Sequence, residues 1–381
     1  MQFQFSIPSS IAFGEGSAQS VGHIVLGMEL NRVFCIYDSG VKKAGIADRI
    51  VASLKTAGLD VVEWNGITEN PSDLMVEEGA KLAREAESEV VVAVGGGSVM
   101  DAGKAISVLL TNESPINQYD GINMVTTPSA PLVAIPTTAG TASEVTSFTI
   151  ISNTAKSRKM VIGGQFIGAD YALIDPLLTL SLPPAETAAT GMDSLSNAIE
   201  AYLSVNASIP TDLNALKAIE LICKNLETAV KNGDNLQART GMLLGSMLAG
   251  FAYNSASLGL AHSIAHPLAV HCGLSVGAAA AAVLPEVLQY NAEAAPERVC
   301  NVGAAMGLAI EGKDKEQAAR ETVAAIKELS RSIAIPSLKE SGVSRDLFAR
   351  IAADALKEIS TIFNPRDVSK EDIIGILEKA Y

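Results

Sequence analysis

The chain has 381 residues, 48% hydrophobic and 18% charged, which is enough to bury more than one core, so two globular domains are expected. A net charge of -14 excludes nucleic acid and anionic membrane as main partners, because both would repel such a surface. What remains is an enzyme acting on a small molecule, or a protein-binding module.

The opening, "MQFQFSIPSSIAFGEGS", has no basic segment and is broken by Pro8, so it does not read as a secretory signal. Its alternating apolar positions suit a strand. That strand either joins a neighbouring subunit, giving a homodimer or higher homo-oligomer, or lies on the edge of the chain's own sheet. Further strand candidates follow as "RVFCIYD", "DVVEWN", "EVVVAVGG", "PLVAIPTT", "FTIIS" and "YALID". Between them, "GIADRIVASLKTAG" and "SDLMVEEGAKLAREAE" have helical apolar spacing, with Gly58 placed as a C-terminal stop. Strands alternating with helices predict an α/β nucleotide-binding domain with a parallel sheet over residues 1–182.

The consecutive prolines Pro183 and Pro184 mark a boundary, and strand signals stop beyond them. "MDSLSNAIEAYLS", "TDLNALKAIELICKNLETAVKNG", "NLQARTGMLLGSMLAGFAYNSA", "KEQAARETVAAIKELSRSIA" and "VSRDLFARIAADALKEIS" have a period near that of an α-helix, so residues 183–381 are expected to be all-helical. From Thr240 to Pro285 there is no Asp, Glu, Lys or Arg, a length that would span a bilayer. Three histidines, Asn254 and Pro267 within it, and the lack of a flanking basic cluster, point instead to buried helices of a globular domain and no membrane. Cys35, Cys223, Cys272 and Cys300 are widely spaced with no CxxC, and read as reduced thiols in a cytoplasmic protein.

Three stretches carry chemistry. "VVVAVGGGSVMDAGKAIS" is a buried strand, a triple glycine (Gly95, Gly96, Gly97), Ser98 and a helix start, a device that brings backbone N–H groups close to phosphate oxygens, although a tight structural turn reads equally well. "AIPTTAGTASEVT" repeats it with a loop of Thr, Gly and Ser, and two such loops at strand ends converge in open α/β sheets. Asp38, ending the first long strand, would accept from ribose hydroxyls and repel a 2′-phosphate, favouring NAD over NADP, or it only caps the following turn. In "GLAHSIAHPLAVHCGLSVG", His262 and His266 are spaced i, i+4, so on a helix they share one face. There they can hold a metal together, or one can bind metal while the other relays a proton.

Together "GGGSVMDAGKA", "IPTTAGTASEVT", "ATGMDSLSNAIEAYLS", "GLAHSIAHPLA" and "NPRDVSKEDIIGILEKAY" resemble the iron-dependent (group III) alcohol dehydrogenases, the family of lactaldehyde reductase and 1,3-propanediol dehydrogenase, over essentially the whole chain. The resemblance implies a dehydroquinate synthase-like fold with an NAD(P) domain, a helical domain and a cleft between them. There, hydride passes between nicotinamide and a small alcohol or aldehyde. By motif, Gly95, Gly96, Gly97 and Ser98 resemble the pyrophosphate loop with Asp101 beside it, and Thr137, Thr138 and Thr141 resemble cofactor contacts. Asn70 and Lys159 resemble further positions near the cofactor. The loop that usually reads Gly-Thr-Gly-Ser-Glu has Ala142 at its third position.

The family's metal site, an Asp and a His one turn apart with two later His, carries over only in part. Asp193 matches the Asp, Asn197 stands at the first His, His262 matches the next, and Val276 stands where "PHG" would supply the last. His266 matches a non-ligand His facing substrate and nicotinamide. An amide oxygen is a weak ligand and valine none, so Fe²⁺ or Zn²⁺ is expected to bind weakly or not at all. His271, five residues before Val276, gains no support from spacing as a replacement. His262 and His266 are then the expected proton donor and carbonyl hydrogen-bond donor. The expected function is NAD-dependent interconversion of a small primary or secondary alcohol with its aldehyde or ketone. The alternative is a catalytically inactive NAD-binding paralogue acting as a sensor or partner protein.

Overall fold

A computed structural model of the chain describes residues 2–381. The α/β unit, Ile7–Thr138 with Ala142–Leu182, has nine strands: β1 (Ser10–Phe13), β2 (Arg32–Asp38), β3 (Asp60–Ile67), β4 (Val90–Gly95), β5 (Gly121–Ile122), β6 (Leu132–Pro136), β7 (Phe148–Asn153), β8 (Arg158–Gly163) and β9 (Tyr171–Ile174). Its helices are α1 (Val21–Gly27), α2 (Ser39–Lys43), α3 (Ile46–Thr56), α4 (Asp73–Glu85) and α5 (Gly97–Thr111). Six strands form a parallel sheet in the order β1-β9-β6-β4-β2-β3.

The unbroken apolar runs of β2 and β4 follow from a sheet covered on both faces. Phe34, Ile36, Val91 and Ala93 point to one side, where they meet Val76 and Ala80 of α4 and Val99 and Ile106 of α5. Cys35, Tyr37, Val92 and Val94 point to the other, against Val25 of α1 and Ile50 and Leu54 of α3. Each large side chain sealed in this way contributes about 1.5–3 kcal/mol. Gly58, at φ +85°, follows the last turn of α3, and the Leu59 N–H reaches back to the Leu54 carbonyl, so the predicted stop is realised.

One expectation resolves to one of its two alternatives and another changes. The opening strand pairs parallel with β9, on the edge of the chain's own sheet. "FTIIS" is not in the main sheet: as β7 it pairs antiparallel with β8, and β5 completes a separate three-stranded sheet. That sheet is moored to α5, since Thr149 Oγ1 donates to the Asp101 carbonyl at 2.8 Å and the Ile150 N–H to Asp101 Oδ2 at 3.2 Å.

The helical unit contains α6 (Pro184–Leu203), α7 (Ile209–Lys231), α8 (Leu236–Ala256), α9 (Leu260–Cys272), α10 (Val276–Ala292), α11 (Pro296–Ala305), α12 (Lys315–Ser332), α13 (Phe348–Ala355) and α14 (Lys370–Lys379). It also takes in the segment through Ser6 and residues Ala139–Thr141, which the sequence reading gave to the α/β half. Hydrogen bonding explains the transfer. The Gly140 carbonyl accepts from Ser194 Oγ at 2.7 Å and Ser246 Oγ at 3.2 Å, and Tyr253 Oη donates to the Thr141 carbonyl at 2.5 Å. The uncharged stretch forms most of α8, all of α9 and the first part of α10, and Leu260, Ile264, Ala280 and Val283 within it lie in one core. Among the described residues, no helix is long and apolar enough to cross a membrane, and all four cysteines are unpaired.

Inside the α/β unit lies a buried charged network that sequence reading missed. The Lys104 ammonium, on α5, donates to Ser143 Oγ at 2.8 Å, Thr146 Oγ1 at 3.0 Å and the Phe148 carbonyl at 2.6 Å. Burial drives its pKa down to about 8 against the pull of Asp101 and Glu144. The same burial raises Glu144 to about 7, with Lys104 opposing. A carboxyl whose folded pKa lies above its ordinary 4.5 gives stability that is full below that value and is lost as pH rises through about 7. Glu144→Gln cannot ionise, so urea unfolding at about pH 5 and about pH 8 should show the variant gaining on the parent at the higher pH. An unchanged gap would contradict this assignment.

Candidate active site

In the α/β unit, chain order places β3 to one side of β2 and then returns β4 to the other, so the strand order reverses between β2 and β4. Ligands of open α/β sheets bind beyond the carboxyl ends of the strands at such a reversal. Asp38 and Gly95 stand there side by side, because Tyr37 is in register with Val94. Asp38 does cap: its Oδ1 accepts from the Val41 N–H at 2.8 Å. Its side chain is half-buried rather than sealed.

Gly95 closes β4, Gly96 precedes α5 with no side-chain cap, and Gly97 and Ser98 open the helix. The first N–H groups of a helix have no partner within it, and here no side chain at the cap position takes one. The second loop is fastened to the first: the Thr137 N–H donates to the Gly95 carbonyl at 2.9 Å. A Cβ built on Gly96 would stand 3.3 Å from the Thr138 side chain, a close approach that glycine leaves open. Asn70 and Lys159, distant in sequence, also meet, with Lys159 Nζ donating to Asn70 Oδ1 at 2.9 Å and Ser152 Oγ at 3.1 Å.

Asp101, placed beside the pyrophosphate loop by the family resemblance, also has contacts of its own. It is half-buried, with Oδ1 accepting from Ser143 Oγ at 2.7 Å and Oδ2 from the Ile150 N–H at 3.2 Å, so it braces the second loop from beneath. Thr141 groups with the helical unit, as described above. Ala142 sits at φ +50°, in the left-handed region where an L-residue costs about 1–2 kcal/mol, which is the physical reason a glycine suits that position.

In the helical unit, Asp193, Asn197 and Glu200 lie at i, i+4 and i+7 on α6 and share one buried face. Opposite them α9 carries His262 and His266, confirming that both imidazoles stand on one helix. Their ring centroids are 6.4 Å apart with planes at 80°. His262 Nδ1 bonds Glu200 Oε2, and Glu200 Oε1 accepts from the Ala261 N–H at 2.5 Å. On its other side His262 Nε2 is 3.4 Å from Asp193 Oδ1, an ion-pair distance too long for a good hydrogen bond. Burial alone would lower this imidazole's pKa, but Glu200 and Asp193 outweigh it and push His262 up to about 10.

The other histidines have acidic partners too. His266 Nδ1 lies 2.8 Å from Glu358 Oε2, and His271 Nε2 lies 2.9 Å from Asp354 Oδ2. Asn197 Nδ2 is 3.4 Å from the Gly140 carbonyl. Among the described residues, no three His, Cys, Asp or Glu side chains gather so as to hold a metal ion. A Cβ on Gly277, the residue after Val276, would lie 3.0 Å from that of Asp193, so the start of α10 packs directly on this carboxylate.

Sequence reasoning missed Glu200, Glu358 and Asp354. For Glu200 a signal existed, since it stands seven residues after Asp193 on the same helix face. Glu358 carries none, because it lies between α13 and a short turn and its partner is 92 residues away.

Two family profiles match the chain: iron-containing alcohol dehydrogenase over residues 8–176, and the C-terminal part of the Fe-containing alcohol dehydrogenase family over residues 187–381. The chain is 39% identical to 1,3-propanediol dehydrogenase of Klebsiella pneumoniae, covering 100% of this chain and 99% of that protein. It is 34% identical to the NAD-dependent methanol dehydrogenase of Bacillus methanolicus over 99% of each. A crystal structure of 1,3-propanediol oxidoreductase superimposes with a TM-score of 0.97 at 39% identity, each chain being covered 100%.

Removing one member of a buried ion pair leaves the other charge uncompensated. His262→Gln should therefore lower unfolding stability by about 3–5 kcal/mol in urea titration. A loss below about 1 kcal/mol would show that the imidazole does not carry the charge assigned to it.

Proposed function

We propose, from the premise that the chain belongs to the iron-containing alcohol dehydrogenase family, that it is a NAD-dependent oxidoreductase interconverting a small primary or secondary alcohol with its aldehyde or ketone. The observation that carries this reading is the uncapped start of α5 after Gly95–Gly97, set beside Asp38 where the strand order reverses. These residues fit a dinucleotide. The helix start and glycines suit pyrophosphate, Asp38 suits ribose hydroxyls and repels a 2′-phosphate, and Lys159 with Asn70, Thr137, Thr138 and Thr141 are assigned to the rest of the cofactor. Bound NAD supplies the hydride acceptor or donor, and the protein's own groups must manage the accompanying proton.

For that proton the two histidines are not equivalent. Both nitrogens of His262 face carboxylates, whereas His266 has only Nδ1 engaged, and among the described residues no partner is seen for Nε2. His266 is therefore assigned as the group that donates to or accepts from the substrate oxygen, with His262 as the buried positive charge behind it. The family is iron-containing, but Asp193 and His262 alone, with Asn197 and Val276 at the other positions, do not make a four-coordinate site for Fe²⁺ or Zn²⁺.

The inactive-paralogue reading gains no support, since each relative above is named for an oxidoreductase activity. A homodimer or higher homo-oligomer is supported by the open outer edge of β1, and a cytoplasmic setting by the unpaired cysteines.

NADH should bind and be oxidised in the presence of a small aldehyde, with NADPH the poorer donor. His266→Asn should cut kcat by about 10²–10⁴-fold while leaving NADH affinity unchanged. Turnover should be indifferent to chelators and to added Fe²⁺ or Zn²⁺. The double variant Asn197→His/Val276→His should acquire metal in elemental analysis. NADH binding without turnover across a broad panel of alcohols and aldehydes would overturn the oxidoreductase reading.

A further inference from the structure

The contact between His266 and Glu358 goes beyond what that reading requires. Glu358 occupies the cap position of the short turn Ile359–Phe363, with extended backbone, yet its carboxylate does not cap that turn. It is directed to the helix α9 instead, where Oε2 meets His266 Nδ1 at 2.8 Å. The docking is reinforced nearby: Thr361 Oγ1 donates to Ser263 Oγ at 2.9 Å, and Ser263 and His266 are i, i+3 neighbours on one face of α9. The imidazole is 5% exposed and the glutamate side chain 14%, so the pair sits away from bulk water where an unmade hydrogen bond is costly.

An ionised carboxylate can only accept, so it holds the proton of a neutral imidazole on Nδ1 and leaves Nε2 as the free nitrogen. We propose that Glu358 is a positioning residue that fixes His266 as its Nδ1–H tautomer and thereby keeps Nε2 unprotonated, ready to take up the substrate's proton. The inference rests on the oxidoreductase reading for its consequence, but not for its geometry. In alcohol oxidation the carbon gives up hydride to the nicotinamide while the O–H proton passes to Nε2, leaving the carbonyl and an imidazolium whose charge Glu358 balances. Reduction runs the same transfer backwards, with Nε2–H returning its proton to the alkoxide oxygen. In the opposite tautomer, Nε2 carries a proton before the reaction begins and cannot accept another.

The test is a ¹⁵N-histidine spectrum of the full-length protein, in which long-range couplings report the tautomer of each ring, paired with steady-state kinetics. The parent should show His266 protonated on Nδ1. Glu358→Leu should shift it towards the Nε2–H form and lower kcat by about 10- to 100-fold, with NADH affinity unchanged. Glu358→Gln, whose amide oxygen can still accept, should keep part of both properties and serves if the leucine variant folds poorly. An unchanged tautomer in both variants overturns the proposal, as does a shifted tautomer with kcat within twofold of the parent when His266→Asn is slow. A shifted tautomer with both Glu358→Leu and His266→Asn at full speed would uphold the positioning contact and remove His266 from the proposed chemistry.

Discussion

An imidazole placed in a core is costly unless something compensates for the water it has lost, and in this chain two carboxylates do so at once. Asp193 and Glu200 project from one face of α6 because seven residues are nearly two helical turns, and His262 lies between them from α9. Two buried acids without a cation between them would repel each other and pull the helices apart. The protonated ring supplies that cation from within the chain. Asn197 fills the intervening position with a neutral amide, and the start of α10 closes over Asp193 through Gly277. The charges are thus opposed within the chain, while Asp193 Oδ1 stays buried without a hydrogen bond.

The α/β unit solves the corresponding problem for a loop. Lys104 gathers Ser143, Thr146 and the Phe148 carbonyl, while Asp101 holds Ser143 from below. The loop after β6 is in this way braced from its far end, and the Thr137 N–H fastens its near end to Gly95. A braced loop limits the entropy lost if a ligand binds there. Ala142 in the left-handed region is a local cost that this bracing sustains.

Much of this was legible in the residues. The runs in β2 and β4 declared a sheet buried on both faces, the helical half announced itself by period, and the Gly95–Ser98 device pointed to a nucleotide. What escaped reading depends on pairing across long stretches of chain. "FTIIS" looks like any strand, and nothing local says that it turns back on Arg158–Gly163 to make a second sheet. Lys104 sits in a helix rich in small apolar residues, where a lysine is expected to reach solvent, yet three acceptors draw it inward. The acid partners of His266 and His271 arrive from the last part of the chain, so neither spacing nor composition could place them.

The proposal to be tested is a NAD-linked reaction whose proton is carried by His266 without a catalytic metal ion. The most direct measurement is anomalous diffraction at the iron and zinc edges from crystals grown with NADH. The account predicts pyrophosphate density at Gly95–Ser98 and no anomalous peak between Asp193 and His262. A strong peak there with four well-ordered ligands would contradict it.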